Sequence, residues 1–248
     1  LAAFSKMAHA EYFLSSAALY APAMFPMPTG AHDAGGGELF WRPKEDAGPY
    51  AGIGAYYDNR HNHLLVLEGH PERTDLATGG TFVIGEAGLR YTLGEAKLPG
   101  QAAVGGWFHT GEFPRTGDPA SYAHGSGGAY AFVDQTFWRE AVGRGATARD
   151  LGAFVQAGWS DARTSAIDAS VAAGLAAKGF IPQRPDDVVG VLAAYVHLPA
   201  PGLREDREAA FEAFYHCQVL RFLAVKPDLQ YIVSPSGTFP DALVATVR

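Results

Sequence analysis

The chain has 248 residues, with 19 Lys+Arg against 26 Asp+Glu and a net charge of −7, so it suits a single domain and makes a poor partner for nucleic acid. Its one cysteine, Cys217, excludes an internal disulfide framework and any multi-thiolate metal site. No apolar run reaches the roughly 18 residues of a spanning helix, and the most apolar early stretch, 17–28, is broken by Pro22, Pro26 and Pro28.

Alternation of apolar and polar residues, the mark of a strand with two unlike faces, recurs along the chain. It predicts strands near 10–19, 37–42, 50–58, 81–93, 101–112, 127–139, 150–160, 166–178, 187–198, 207–219, 223–233 and 241–248, the first two being the weakest. The run 127–140 breaks the pattern: Tyr130 and Phe132 share a parity with Asp134, so either a bulge shifts the pleat or aromatics line an interior. In 151–160, Leu151, Ala153, Val155, Ala157 and Trp159 oppose Gly152, Phe154, Gln156, Gly158 and Ser160. In 167–178, Ile167, Ala169, Val171, Ala173, Leu175 and Ala177 share one face. In 208–219 the apolar face is Ala209, Phe211, Ala213, Tyr215, Cys217 and Val219, and in 223–233 it is Leu223, Val225, Pro227, Leu229, Tyr231 and Val233. Cys217 therefore reads as a small apolar residue facing outward.

These runs have the length of about 9–11 residues that a tilted strand needs to cross a bilayer. Their apolar faces carry no Lys or Arg, and Tyr91, Trp138, Trp159 and Tyr231 sit near run ends, where an interfacial girdle forms. The expected fold is all-β: an antiparallel transmembrane barrel occupying 1–248 as one domain. The tightest connector, 220–222, belongs on the periplasmic side with 94–100, 140–149 and 179–186, which leaves 59–80 and 113–126 as longer outer loops.

The opposite face supplies Glu86, Arg90, Trp107, His109, Gln156, Glu212, His216, Lys226, Asp228 and Gln230 as candidate channel-lining groups. Charged and amide groups suit sugar hydroxyls, and aromatic faces suit the sugar ring. Taken singly, most such residues only solvate a wet wall or pair across strands; the set carries the weight. Enzyme readings are poorer. His61, Asn62 and His63 lie in a connector without a surrounding metal motif, and Glu212 and Asp228, though a possible carboxylate pair, have Lys226 beside them for charge balance. No serine sits in a Gly-x-Ser-x-Gly elbow.

Stretches 105–113, 128–135, 152–159, 179–182, 186–188 and 225–232 resemble the carbohydrate-selective outer-membrane porin family of OprB type. The likeness is strong from Tyr50 onward. It implies a barrel of about sixteen strands that admits glucose and related sugars by passive diffusion, without a cofactor, in the bacterial outer membrane and among its lipids. The chain begins at Leu1 without a signal peptide, lacks N-terminal strands of that pattern and ends at Arg248 without a terminal aromatic, so it is expected to be a fragment with a gap between 10–19 and 241–248. The competing reading is a soluble all-β sugar-binding or glycoside-hydrolysing protein, which would need no detergent.

Overall fold

In a computed structural model, residues 7–10, 35–44, 47–58, 80–140, 149–220 and 222–248 are described. Among these residues twelve strands form: β1 Gly35–Trp41, β2 Gly48–Asp58, β3 Gly80–Leu93, β4 Leu98–Arg115, β5 Asp118–Glu140, β6 Arg149–Ser160, β7 Ala169–Lys178, β8 Val188–His197, β9 Arg207–Leu220, β10 Leu223–Val225, β11 Pro227–Val233 and β12 Ala242–Val247. All belong to one sheet in which each main-path strand pairs antiparallel with its sequence neighbour; β10 pairs only with β9. β1 and β12 stand at its two edges and do not pair with each other. The predicted strand 10–19, apart from Ala10, lies outside the described residues, as do most of 59–80 and the triplet His61, Asn62 and His63.

The two faces differ as the alternation requires. Val155, Trp159, Val171, Leu175, Val191, Phe211, Leu229 and Tyr231 stand exposed on the outside, half bare in the case of Val155 at 51% and Phe211 at 50%. Residues one position away, among them Phe154, Gln156, Ala172, Leu192, Glu212 and Asp228, are buried. An apolar outside around a partly polar inside inverts the usual arrangement of a soluble domain. Lipid, not water, is the solvent that such an outside fits.

Three departures from the alternation have local causes. Tyr130, Phe132 and Asp134 all face inward, and the pleat then slips between Thr136 and Trp138, so that Phe137 and Trp138 are both exposed. Both alternatives for this run therefore hold: aromatics line the interior and a bulge follows them. The stretch 113–126, expected as a loop, instead continues β4 and β5 into a long hairpin that turns at Thr116 and Gly117. Gly117 has φ +80°, and an added Cβ there would meet Pro201 Cδ at 2.4 Å, so the tip rests on the β8–β9 connector. Finally, 223–233 divides at Lys226, whose backbone N–H and C=O pair with Arg248 rather than with β9.

The connectors at the hairpin end are tied together. Thr116 donates its N–H to Arg163 O at 2.8 Å, and Glu205 donates its N–H to Gly237 O at 2.9 Å. Arg163 grips Asp161 with Nε at 3.0 Å and Nη2 at 2.5 Å, and these bonds hold the Asp161 carboxyl below its ordinary range. At the opposite end, the β7–β8 connector folds against the outer side of β9. Arg184 and the hydroxyl of Tyr215 both donate to Asp187, as does the N–H of Gln218 at 2.9 Å. Burial alone would raise the carboxyl of Asp187, but these bonds outweigh it and lower it. Arg184 also contacts Cys217 Sγ, so the thiol, half-buried on the outward-facing parity, is covered by the connector and not bare to lipid as expected.

Candidate functional site

The interior wall holds the candidate residues, and it divides into panels. On β2–β5, Glu86 is 5% exposed and receives two phenols: Tyr50 Oη at 2.9 Å and Tyr130 Oη at 2.6 Å. Gln101 Nε2 donates to the Tyr50 hydroxyl at 2.8 Å, and the Arg90 guanidinium sits 5.8 Å from the Tyr50 ring centre. Two phenols on one carboxylate satisfy a buried charge that would otherwise cost several kcal/mol, on the order of 3–5. Trp107 and His109 continue the panel along β4. The Phe82 ring lies 6.0 Å from Trp107 and 6.4 Å from His109, and His109 Nδ1 accepts the Gly111 N–H at 2.9 Å. Trp107 Nε1 is buried with no hydrogen-bond partner among the described residues.

Glycines make this panel flat. Tyr50 is paired directly with Gly88, Tyr130 with Gly105, and Trp107 with Gly128. A Cβ on those glycines would stand 2.5, 2.2 and 2.7 Å from the respective rings. The missing side chain lets each ring lie against the neighbouring strand, so bulky aromatics occupy the wall without projecting across the interior. Tyr50 and Tyr130 escaped the sequence reading as site residues. The signal for them, a glycine directly opposite each, becomes visible only when the register is known.

The second panel is the β9–β11 strip. Gln230 pairs with Glu212 and Asp228 with Phe214 across the ladder. Gln230 Nε2 donates to Asp228 Oδ1 at 3.1 Å, Lys226 Nζ lies 3.9 Å from Asp228 Oδ2, and the same ammonium sits 4.3 Å over the Phe214 ring. The Phe214 ring in turn lies over Gly190. His216 shares this face half-buried, opposite Val188. The structure thus gathers five of the ten candidates here and four on β3–β4. Gln156 stands apart on β6, between Phe132 and Ala172.

Between the two lies a panel that is not polar. Ala172, Ala176, Val188, Leu192, Ala194 and Val196 face inward from β7 and β8, all buried. Met7 and Ala10 belong to the same buried apolar cluster. None of the ten candidates falls on these two strands, whose inward side chains are small and branched and mostly share a cluster with Met7 and Ala10.

A family model described as "Carbohydrate-selective porin, OprB family" matches residues 10–248. No curated protein matches the chain. Among solved structures, the high-pH structure of Pseudomonas putida OprB matches with a TM-score of 0.66 and 22% identity, over 85% of this chain and 56% of that one. The low-pH structure of the same porin matches with a TM-score of 0.55 and 20% identity, over 85% of this chain and 52% of that one. The chain thus spans about half the length of these structures, and at this identity the likeness establishes the fold.

Proposed function

The chain belongs to the carbohydrate-selective porin, OprB family, and from that premise we propose that it forms a wall of a bacterial outer-membrane channel for small sugars such as glucose. The reading is of passive diffusion and not of catalysis, with outer-membrane lipid around the barrel and no cofactor required. The observation that carries it is the inversion of faces: bare Val, Leu and aromatic side chains outside, hydrogen-bonded carboxylates and tyrosines inside. The connectors 94–97 and 179–187 lie at the periplasmic end in this reading, and the β4–β5 hairpin at the outer end.

A sugar leaving water must replace the hydrogen bonds of its hydroxyls. Glu212, Lys226, Asp228 and Gln230 offer donors and acceptors in one strip, the last three already held together and Glu212 beside Gln230 on the ladder, so they exchange bonds with little reorganisation. The tyrosine-clamped Glu86, with Arg90 and the indole N–H of Trp107, offers a second such surface. His109, Gln156 and His216 complete the proposed lining. Each contact is weak and shared, which favours release as much as entry. Planar-bilayer conductance of the full-length protein, titrated with glucose, tests the reading: channels that glucose blocks saturably support it, and the absence of any channel sinks it.

A further inference from the structure

One interior contact joins β5 to a residue that lies in no strand. His9 donates its backbone N–H to Asp134 Oδ2 at 2.9 Å, and its ring Nδ1 lies 2.6 Å from Asp134 Oδ1. Both residues are 6% exposed, although 125 positions separate them. Beneath the imidazole is Gly152 of β6, where an added Cβ would stand 1.9 Å from His9 Nε2. The wall therefore has a recess into which the ring fits, and an anchor above it that takes two bonds.

The residues around His9 complete the seat. Met7 and Ala10, each 3% exposed, join the apolar cluster that includes Phe154, Ala172 and Ala176. Ala8 alone is exposed, and it faces a cavity of about 330 Å³. Arg90, Gln101, Arg139 and Asp150 stand on the walls of that cavity. These positions cluster at the end of the barrel that bears the β3–β4 and β5–β6 connectors.

We propose that 7–10 is a constriction element, latched across this mouth of the channel by His9 on Asp134, and that the latch sets the size limit for the solutes that pass. The inference rests on the porin reading but concerns a different part of it: what narrows the lumen, not what the lumen recognises. His9 is a positioning residue; it holds the segment and touches no solute. Aspartate, unlike the neighbouring wall aromatics, can take both the backbone N–H and the ring of the same residue, which fixes the segment in place and in orientation. Gly152 is required because any side chain there displaces the ring.

The test uses the full-length protein, refolded and reconstituted, with barrel assembly checked by heat-modifiable gel migration. His9→Ala, Asp134→Asn and Gly152→Ala are expected to raise single-channel conductance and to speed the entry of di- and trisaccharides relative to glucose in liposome swelling. His9→Asn, which keeps a donor near the Nδ1 position, is expected to stay close to the parent. Assembled His9→Ala channels with the parental conductance and size limit would overturn the latch while leaving the porin reading intact. Should the wall variants fail to assemble, His9→Ala decides alone, since it alters the segment and not the sheet. A parent protein that forms no channel would overturn the porin reading, and the latch with it.

Discussion

The interior of β2–β5 and the interior of β7–β8 share one kind of exterior, alanine, valine and leucine facing outward, yet they meet the lumen with opposite chemistry. On β2–β5 a carboxylate is clamped by two tyrosines that lie over glycines. On β7–β8 the same positions carry alanine, glycine, valine and leucine, packed against apolar neighbours. The difference shows that the inward face of such a wall is not specified by the membrane. Lipid fixes the outward residues; the inward ones are free to serve either solute or buried chain.

The largest expected effect comes from importing the chemistry of one panel into the other. Leu192→Glu places a carboxylate on β8 with no phenols to receive it, and is expected to cost about 3–5 kcal/mol in urea unfolding from lipid vesicles. If Leu192→Glu is as stable as the parent, the β7–β8 interior is wet and the contrast fails. Next come the glycines. Gly105→Ala and Gly190→Ala each push on a ring, Tyr130 and Phe214 respectively, and overpacking costs about 1–3 kcal/mol. Gly105→Ala should be the worse of the two, because moving Tyr130 also takes its hydroxyl from Glu86.

Removing that hydroxyl directly sharpens the comparison. Tyr130→Phe leaves one Glu86 oxygen without its donor and is expected to cost about 1–3 kcal/mol, whereas Tyr195→Phe on the outside of β8 should change stability by less than about 0.5 kcal/mol. Equal effects would mean that the clamp contributes nothing. The smallest effect is a pH dependence at the β7–β8 connector. Asp187 has its carboxyl lowered in the native protein, so its stabilising contribution is complete above the unfolded value of about 3.9 and is lost as the pH falls through the lower native value. Asp187→Asn should flatten that part of the stability profile at acid pH; an unchanged profile would show that the connector is not held by this charge.

Much of this architecture is legible in the residues alone. Runs such as 151–160 and 208–219 alternate without a break, and the strands and outward faces follow directly. What was not legible depends on contacts distant in sequence. Pro114, Gly117 and Gly125 look like a loop, because the connectors that support the β4–β5 hairpin are written elsewhere in the chain. The slip between Thr136 and Trp138 leaves no mark in composition. Tyr50 and Tyr130 become site residues only through glycines on the neighbouring strands, and His9 only through an aspartate 125 positions away. The apolar centre of β7, with Ala172, Gly174 and Ala176 inward, was readable, but nothing near it in sequence says that Met7 and Ala10 join it.

The most direct test of the proposed channel is glucose block of single-channel current in the full-length protein, compared between panels. Glu212→Ala, Lys226→Ala and Asp228→Ala, made in the polar strip, are expected to shift the glucose concentration for half-block while barrels still assemble. Ala194→Ser, in the apolar panel, should leave it where it was. Unaltered glucose block in all three strip variants would contradict the account, because the wall would then be merely solvated and the strip would play no part in passing the sugar.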